Sequence, residues 1–186
     1  MQFMLALLMS LSGQPSQEKP APPQLREIDR IRLAEAFRLA DAIGDKIWPG
    51  WSKASFAVLL VTPEWEYLLR HPQPTKDFTL LGEDNLLQSK VWYRKRTQRV
   101  DFLATFPAVG MTPTIVIGQA ENTSEKTSTP WVVTLLHEHF HQLQWHDPRY
   151  LADVGGLKCS VVNSVLCTLS PRREQVVSKR LPIIQA

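Results

Sequence analysis

Two histidines and a glutamate with a spacing suited to metal chemistry stand at His137, Glu138 and His141, inside Thr134-Leu135-Leu136-His137-Glu138-His139-Phe140-His141-Gln142-Leu143. On an α-helix, residues four apart lie on one face, one turn above the other. That spacing lets both imidazoles reach one metal ion, with the intervening carboxylate beside it as a general base. The chemistry such a trio could carry is metal-dependent hydrolysis.

The trio works only if the segment is helical. Thr129 is a good N-cap and Pro130 suits the first helical position, so the sequence predicts a helix from Pro130 to about Trp145. Pro148 bars its continuation and disfavours helix at Asp147. On a wheel, His137 and His141 share a face with Thr134 and Gln144, while Trp131, Val132, Leu135, Leu136, Phe140 and Leu143 cover most of the rest. An almost all-round apolar helix is expected to be buried. Two imidazoles inside it need partners, and one metal ion satisfies both. His139 points to the opposite side and is expected to be a packed histidine bonded to a nearby acceptor. The rival geometry is a strand, on which His137, His139 and His141 would face one way. The Thr-Pro start and the Leu, Gln and Glu content favour the helix.

This stretch resembles the active-site helix of the zincin metallopeptidases. Thr134 lies three before the first histidine, the variable positions are uncharged, and Leu143 lies two after the second histidine. The likeness covers about ten residues directly. The order of elements ahead of it is also similar to a zincin N-terminal subdomain. The resemblance implies an α+β fold: a helix, a short mixed or antiparallel sheet, a buried motif helix, and a short or truncated C-terminal part. It implies that His137 and His141 bind Zn²⁺, with a third protein ligand and a water completing the site. Zinc would lower the pKa of that water and polarise the scissile carbonyl, and Glu138 would take the proton and pass it to the leaving amine. The implied partner is a peptide or protein substrate, bound by β-addition to the strand before the motif helix, Thr112 to Gln119.

The pattern is incomplete after the motif, and looks more gluzincin-like than metzincin-like. A gluzincin takes its third ligand from a Glu on a later helix, and Glu174 is the only Glu after the motif. A metzincin has a His or Asp six residues after the second histidine, where Asp147 stands, but Gln144 occupies its glycine position and no Met follows Met111. Asp147 also fits an Asp-Pro turn, and Glu174 a solvated charge. His146 and Tyr150 are weaker candidates for stabilising an oxyanion. The alternative is a zinc-binding protein without catalysis, structural or regulatory. The plainest reading is an ordinary globular domain with a chance motif.

The elements ahead of the motif must position it. A helix is expected from about Gln24 to Gly44, with Leu25, Ile28, Ala36, Leu39, Ala40 and Ile43 on its apolar stripe and Arg32 interrupting it. Trp48-Pro49-Gly50-Trp51 reads as a turn with two aromatics on the core. Ala54 to Thr62 reads as a strand, ended by Pro63. Glu64 to Leu69 fits a strand or a short helix, and 71–74 a loop. Lys90 to Phe102 alternates loosely and carries Arg94-Lys95-Arg96 with Arg99. These fit a solvated strand face, or an edge guarded against pairing, better than a nucleic-acid patch. Thr112 to Gln119 reads as a short strand and 120–128 as a polar loop.

Length and composition frame the rest. A chain of 186 residues with 44% apolar content suggests one domain with a real core. A net charge of +3 gives no case for a nucleic-acid partner. Phe3 to Leu11 is an apolar run followed by small residues, and it reads as an export signal, too short to span a bilayer. The expected division is a signal at 1–12, a linker at 13–23, a zincin-like core at 24–148 and an atypical segment at 149–186. That division places the protein outside the cytoplasm, secreted or periplasmic. Cys159 and Cys167 either pair or stay as buried thiols.

Overall fold

The computed structural model describes residues 23–150. The run read as an export signal, Cys159, Cys167 and Glu174 lie outside the described residues, as do nearly all of the expected linker and of the segment 149–186.

The first helix, α1, spans Glu27–Ile47. Glu27 and Asp29 in its first turn and Lys46 in its last complement the helix dipole. Its buried face is Asp29, Arg32, Leu33, Ala36, Phe37, Ala40 and Gly44. The stripe is therefore rotated from the expected one: Ile28 and Ile43 are 40% and 37% exposed, while Leu33 and Phe37 take the core positions. Nor does Gly44 stop the helix, which runs three residues further. The Trp51 ring packs against Gly44 instead. Trp51 is buried as expected, whereas Trp48 stays 40% exposed with its edge against the Phe140 ring.

Six strands follow: β1 Val58–Val61, β2 Trp65–Leu69, β3 Thr79–Asp84, β4 Ser89–Lys95, β5 Leu103–Val109 and β6 Thr112–Gly118. They form one sheet in the order β3-β4-β2-β1-β6-β5. The pair β1–β6 is parallel and every other pair antiparallel. A second helix, α2, spans Ser128–Gln144. The fold is α+β.

Both helices lie on one face of the sheet. Leu33, Phe37, Trp131 and Leu135 pack there with Val58, Leu60, Tyr67, Leu69, Ile115 and Ile117. The alternate residues Leu59, Val61, Leu68 and Val116 face the other way, under Phe78, Trp92, Phe102 and Phe106. Apolar residues on both faces explain why β1 reads as an unbroken apolar run and why β2 showed no clear period. Among the described residues, no helix is long and apolar enough to cross a membrane.

The basic run begins at the end of β4: residues 91–93 pair with both β2 and β3, Arg94 and Lys95 pair with β2 alone, and Arg96 and Arg99 follow the strand. Its cations are used within the fold. Arg94 bonds buried Glu66 at 2.6 Å, Lys95 sits 3.8 Å over the Trp65 ring, Arg96 donates to the Pro63 carbonyl at 2.9 Å, and Arg99 pairs with Asp101 at 2.7 Å. One expectation about the strands is corrected: the strand before the motif helix, β6, is paired on both sides, by β1 and β5, so it has no free edge for β-addition. Among the described residues, the outermost strand beside it is β5. Pro107 lies there between Phe106 and Val109, where the ladder shifts register, as a proline in an edge strand must.

Candidate metal centre

Helix α2 starts two residues earlier than the sequence suggested. Thr127 precedes it without a side-chain cap. The Ser128 hydroxyl accepts a hydrogen bond from Arg32 Nε at 3.0 Å, which ties this end to α1. Pro130 falls in the first turn, where a missing N–H costs nothing. The Trp131 indole donates to the Gly118 carbonyl at 2.9 Å and fixes the helix against the end of β6.

The helix is half buried, not buried all round. Trp131, Val132, Leu135, Glu138, His139 and Gln142 face the core. Val133 is 58% exposed, His137 is exposed and His141 is half-buried. The sheet and α1 cover one side only, so the apolar residues on the wheel overstate the burial.

His137 and His141 converge. Their Nε2 atoms are 3.0 Å apart and their rings meet edge to face. His141 Nδ1 lies 2.6 Å from the Gln144 side-chain carbonyl. That oxygen only accepts, so Nδ1 carries a proton and Nε2 is the ring atom available to a metal. Two imidazole nitrogens this close require a proton or a cation between them. Two nitrogens bound to one tetrahedral zinc at about 2.0–2.1 Å stand roughly 3.3 Å apart, close to the separation here. One oxygen of Glu138 and one nitrogen of each histidine all lie within 4.8 Å of one another. The donor set and its spacing could hold a metal ion.

Glu138 is 8% exposed, and Oε2 accepts from the Thr105 hydroxyl of β5 at 2.7 Å. The same hydroxyl lies 3.0 Å from the Glu138 main-chain carbonyl. His139 sits apart from the trio, as the wheel implied. It is stacked on Phe56 with ring centres 3.8 Å apart, and its Nδ1 donates to Gln142 Oε1 at 2.9 Å. Burial pushes its pKa down to about 4, against the opposing pull of the Gln142 bond, so it is neutral at pH 7. Gln142 spends both amide hydrogens on main-chain carbonyls, Ala57 at 2.9 Å and Pro113 at 2.8 Å. The two bonds from Gln142 lock the helix to the starts of β1 and β6 on the side opposite His137.

Asp147 is not drawn into the cluster. Its carboxylate is held by Arg149 at 2.9 Å and by the Arg149 amide at 2.8 Å, which depresses its pKa. His146 is exposed, and Tyr150 lies edge to face with Trp145. Among the described residues, no further His, Cys, Asp or Glu joins His137, Glu138 and His141. Sequence reasoning missed the roles of Gln142, Gln144 and Thr105. Gln144 was legible as a residue three after His141 on the same face. Thr105 lies 33 residues before Glu138, and nothing in the sequence links the two.

No family model matches the chain, and neither a curated protein nor a solved structure does.

Proposed function

We propose that this chain is a zinc-dependent hydrolase of the zincin type, acting on peptide bonds. The observation that carries the reading is the His137–His141 pair, two convergent Nε2 atoms 3.0 Å apart with His141 Nδ1 bonded to Gln144. His137 and His141 would hold the ion. Zinc there supplies a Lewis acid that acidifies water and polarises a carbonyl. Glu138, within 4.8 Å of both ligand nitrogens, takes the proton from water and returns it to the leaving amine. His139 stays neutral behind the helix and takes no part. An extended peptide would add to β5, the outermost strand next to Glu138, and not to β6. With Asp147 held by Arg149, Glu174 is the remaining sequence candidate for a third protein ligand.

The test is zinc stoichiometry of purified protein and of two variants. One zinc per chain is expected in the parent, with loss in both His137→Ala and His141→Ala. Unchanged zinc in either variant sinks the reading. Glu138→Gln is expected to keep zinc and lose hydrolysis of a peptide pool. The second reading, a zinc-binding protein without catalysis, is favoured by the two-histidine ligand set among the described residues. Zinc-loaded parent protein that cleaves no member of the pool would select it.

A further inference from the structure

We propose that Thr105 is the positioning residue for Glu138, holding one carboxylate oxygen so that the other faces the histidine pair. The inference rests on the zinc-hydrolase reading and extends it to a residue outside the motif.

Strand β5 alternates in the ordinary way. Leu103 and Thr105 face the helices, while Phe102 and Phe106 pack under the opposite face of the sheet. Thr105 pairs in register with Ile115 and so stands on the outermost strand of the sheet, beside α2. Its hydroxyl has one proton and two acceptors near it, Glu138 Oε2 at 2.7 Å and the Glu138 carbonyl at 3.0 Å. The charged oxygen is the closer and the stronger acceptor. No other protein hydrogen bond reaches that carboxylate among the described residues. Glu138 has three rotatable side-chain bonds, and one short bond to Oε2 fixes the plane of its carboxylate. The remaining oxygen is then free to work on a proton. A general base is effective only when it is held within hydrogen-bond reach of its proton, so a residue that fixes its orientation should act on turnover and not on substrate binding. A purely structural Thr105, tethering α2 to β5, would act on stability alone.

Thr105→Val keeps the shape and removes the hydroxyl, and Thr105→Ser restores it. Both are compared with the parent as zinc-loaded protein on the member of a fluorogenic peptide pool that the parent cleaves fastest. Thr105→Val should lose about 10- to 100-fold in kcat, the share one charge-assisted hydrogen bond supplies, with KM within about twofold. Zinc stoichiometry should be unchanged, and Thr105→Ser should recover most of the rate. Unchanged kcat in Thr105→Val, or an equal loss in Thr105→Ser, overturns the proposal. Crystal structures of the zinc-loaded parent and Thr105→Val supply a readout free of activity. The Glu138 carboxylate should leave its place in the valine variant, and an unmoved carboxylate overturns the proposal. If the parent cleaves nothing, the hydrolase reading fails, and the crystal structures still decide whether Thr105 orients Glu138.

Discussion

Two polar clusters on the helical face of the sheet are built by opposite rules. Where α1 meets the start of α2, Asp29 and Arg32 are 1% and 7% exposed, and each of their functional groups is met. Asp29 accepts from Arg26 at 2.8 Å and from Gln119 at 2.6 Å, and Arg32 bonds Glu121 at 2.9 Å and Ser128 at 3.0 Å. One turn before the end of α2, His137 and His141 face each other on the open side of the helix, two basic nitrogens with no acid between them. The first cluster is closed and serves the fold. The second is a bare contact of two imidazole nitrogens on the open side of the helix, where the proposed ion would sit. A buried charge without its partner is costly, so the closed cluster should be intolerant of change. An exposed imidazole is not, so the open cluster should be nearly silent in folding and decisive in metal binding.

The sharpest way to break this contrast is Asp29→Ala. It leaves Arg32 and Gln119 facing a void, and should cost about 3–5 kcal/mol in urea unfolding. A loss below 1 kcal/mol would show that the closed cluster is no such thing. Next is Gln142→Leu, which strips the Ala57 and Pro113 carbonyls and His139 of a partner. A loss of roughly 2–3 kcal/mol is expected by thermal melting. Because Gln142 sits beside His141 but on the buried side, zinc affinity measured on the folded variant should change little.

The third prediction concerns acid. Partial burial opposes the charged form of Glu121, but its bonds to Arg26 and Arg32 outweigh that and hold its pKa at about 2. The depressed value means that stability is present above the ordinary pKa near 4.5 and is lost as pH falls toward 2. Its side chain is 47% exposed, so screening limits the effect to about 1 kcal/mol. Glu121→Gln should flatten the stability profile between pH 4.5 and 2 by that amount. The smallest expected effect is that of His137→Ala in chelator, within about 0.5 kcal/mol of the parent. In zinc, the parent should melt higher and His137→Ala should not follow, since a ligand of the native state raises stability only where it binds. A large loss in chelator would place His137 in the fold and not in the site.

The histidine trio and its helix were legible because one turn of helix carries them, and local spacing alone decides which residues share a face. His139 could be separated from its neighbours for the same reason. The stripe of α1 was misplaced because Ile28 and Ile43 look like core residues, while buried Arg32 looks like an error until Glu121 and Asp29 are seen around it. Strands β3 and β5 went unread. In β3, the ladder shifts register at a bulge between Leu80 and Gly82, and in β5, Pro107 sits inside the strand. Thr105 and Gln142 act on partners far along the chain, and no periodicity reports such a contact.

The parallel pair β1–β6 has a consequence for biosynthesis. Val58 pairs with Ile115, a separation of 115 − 58 = 57 residues, and the four strands and turns between them must be made first. Until β6 leaves the ribosome, β1 offers a wholly buried Val-Leu-Leu-Val sequence with one edge unpaired, a template for joining another nascent chain. The motif helix comes later still, and it docks on Ala57 and Pro113, the starts of those same two strands. Folding of this chain should therefore be slow and sensitive to crowding, and the His137–His141 pair should be assembled on the sheet only in its last step.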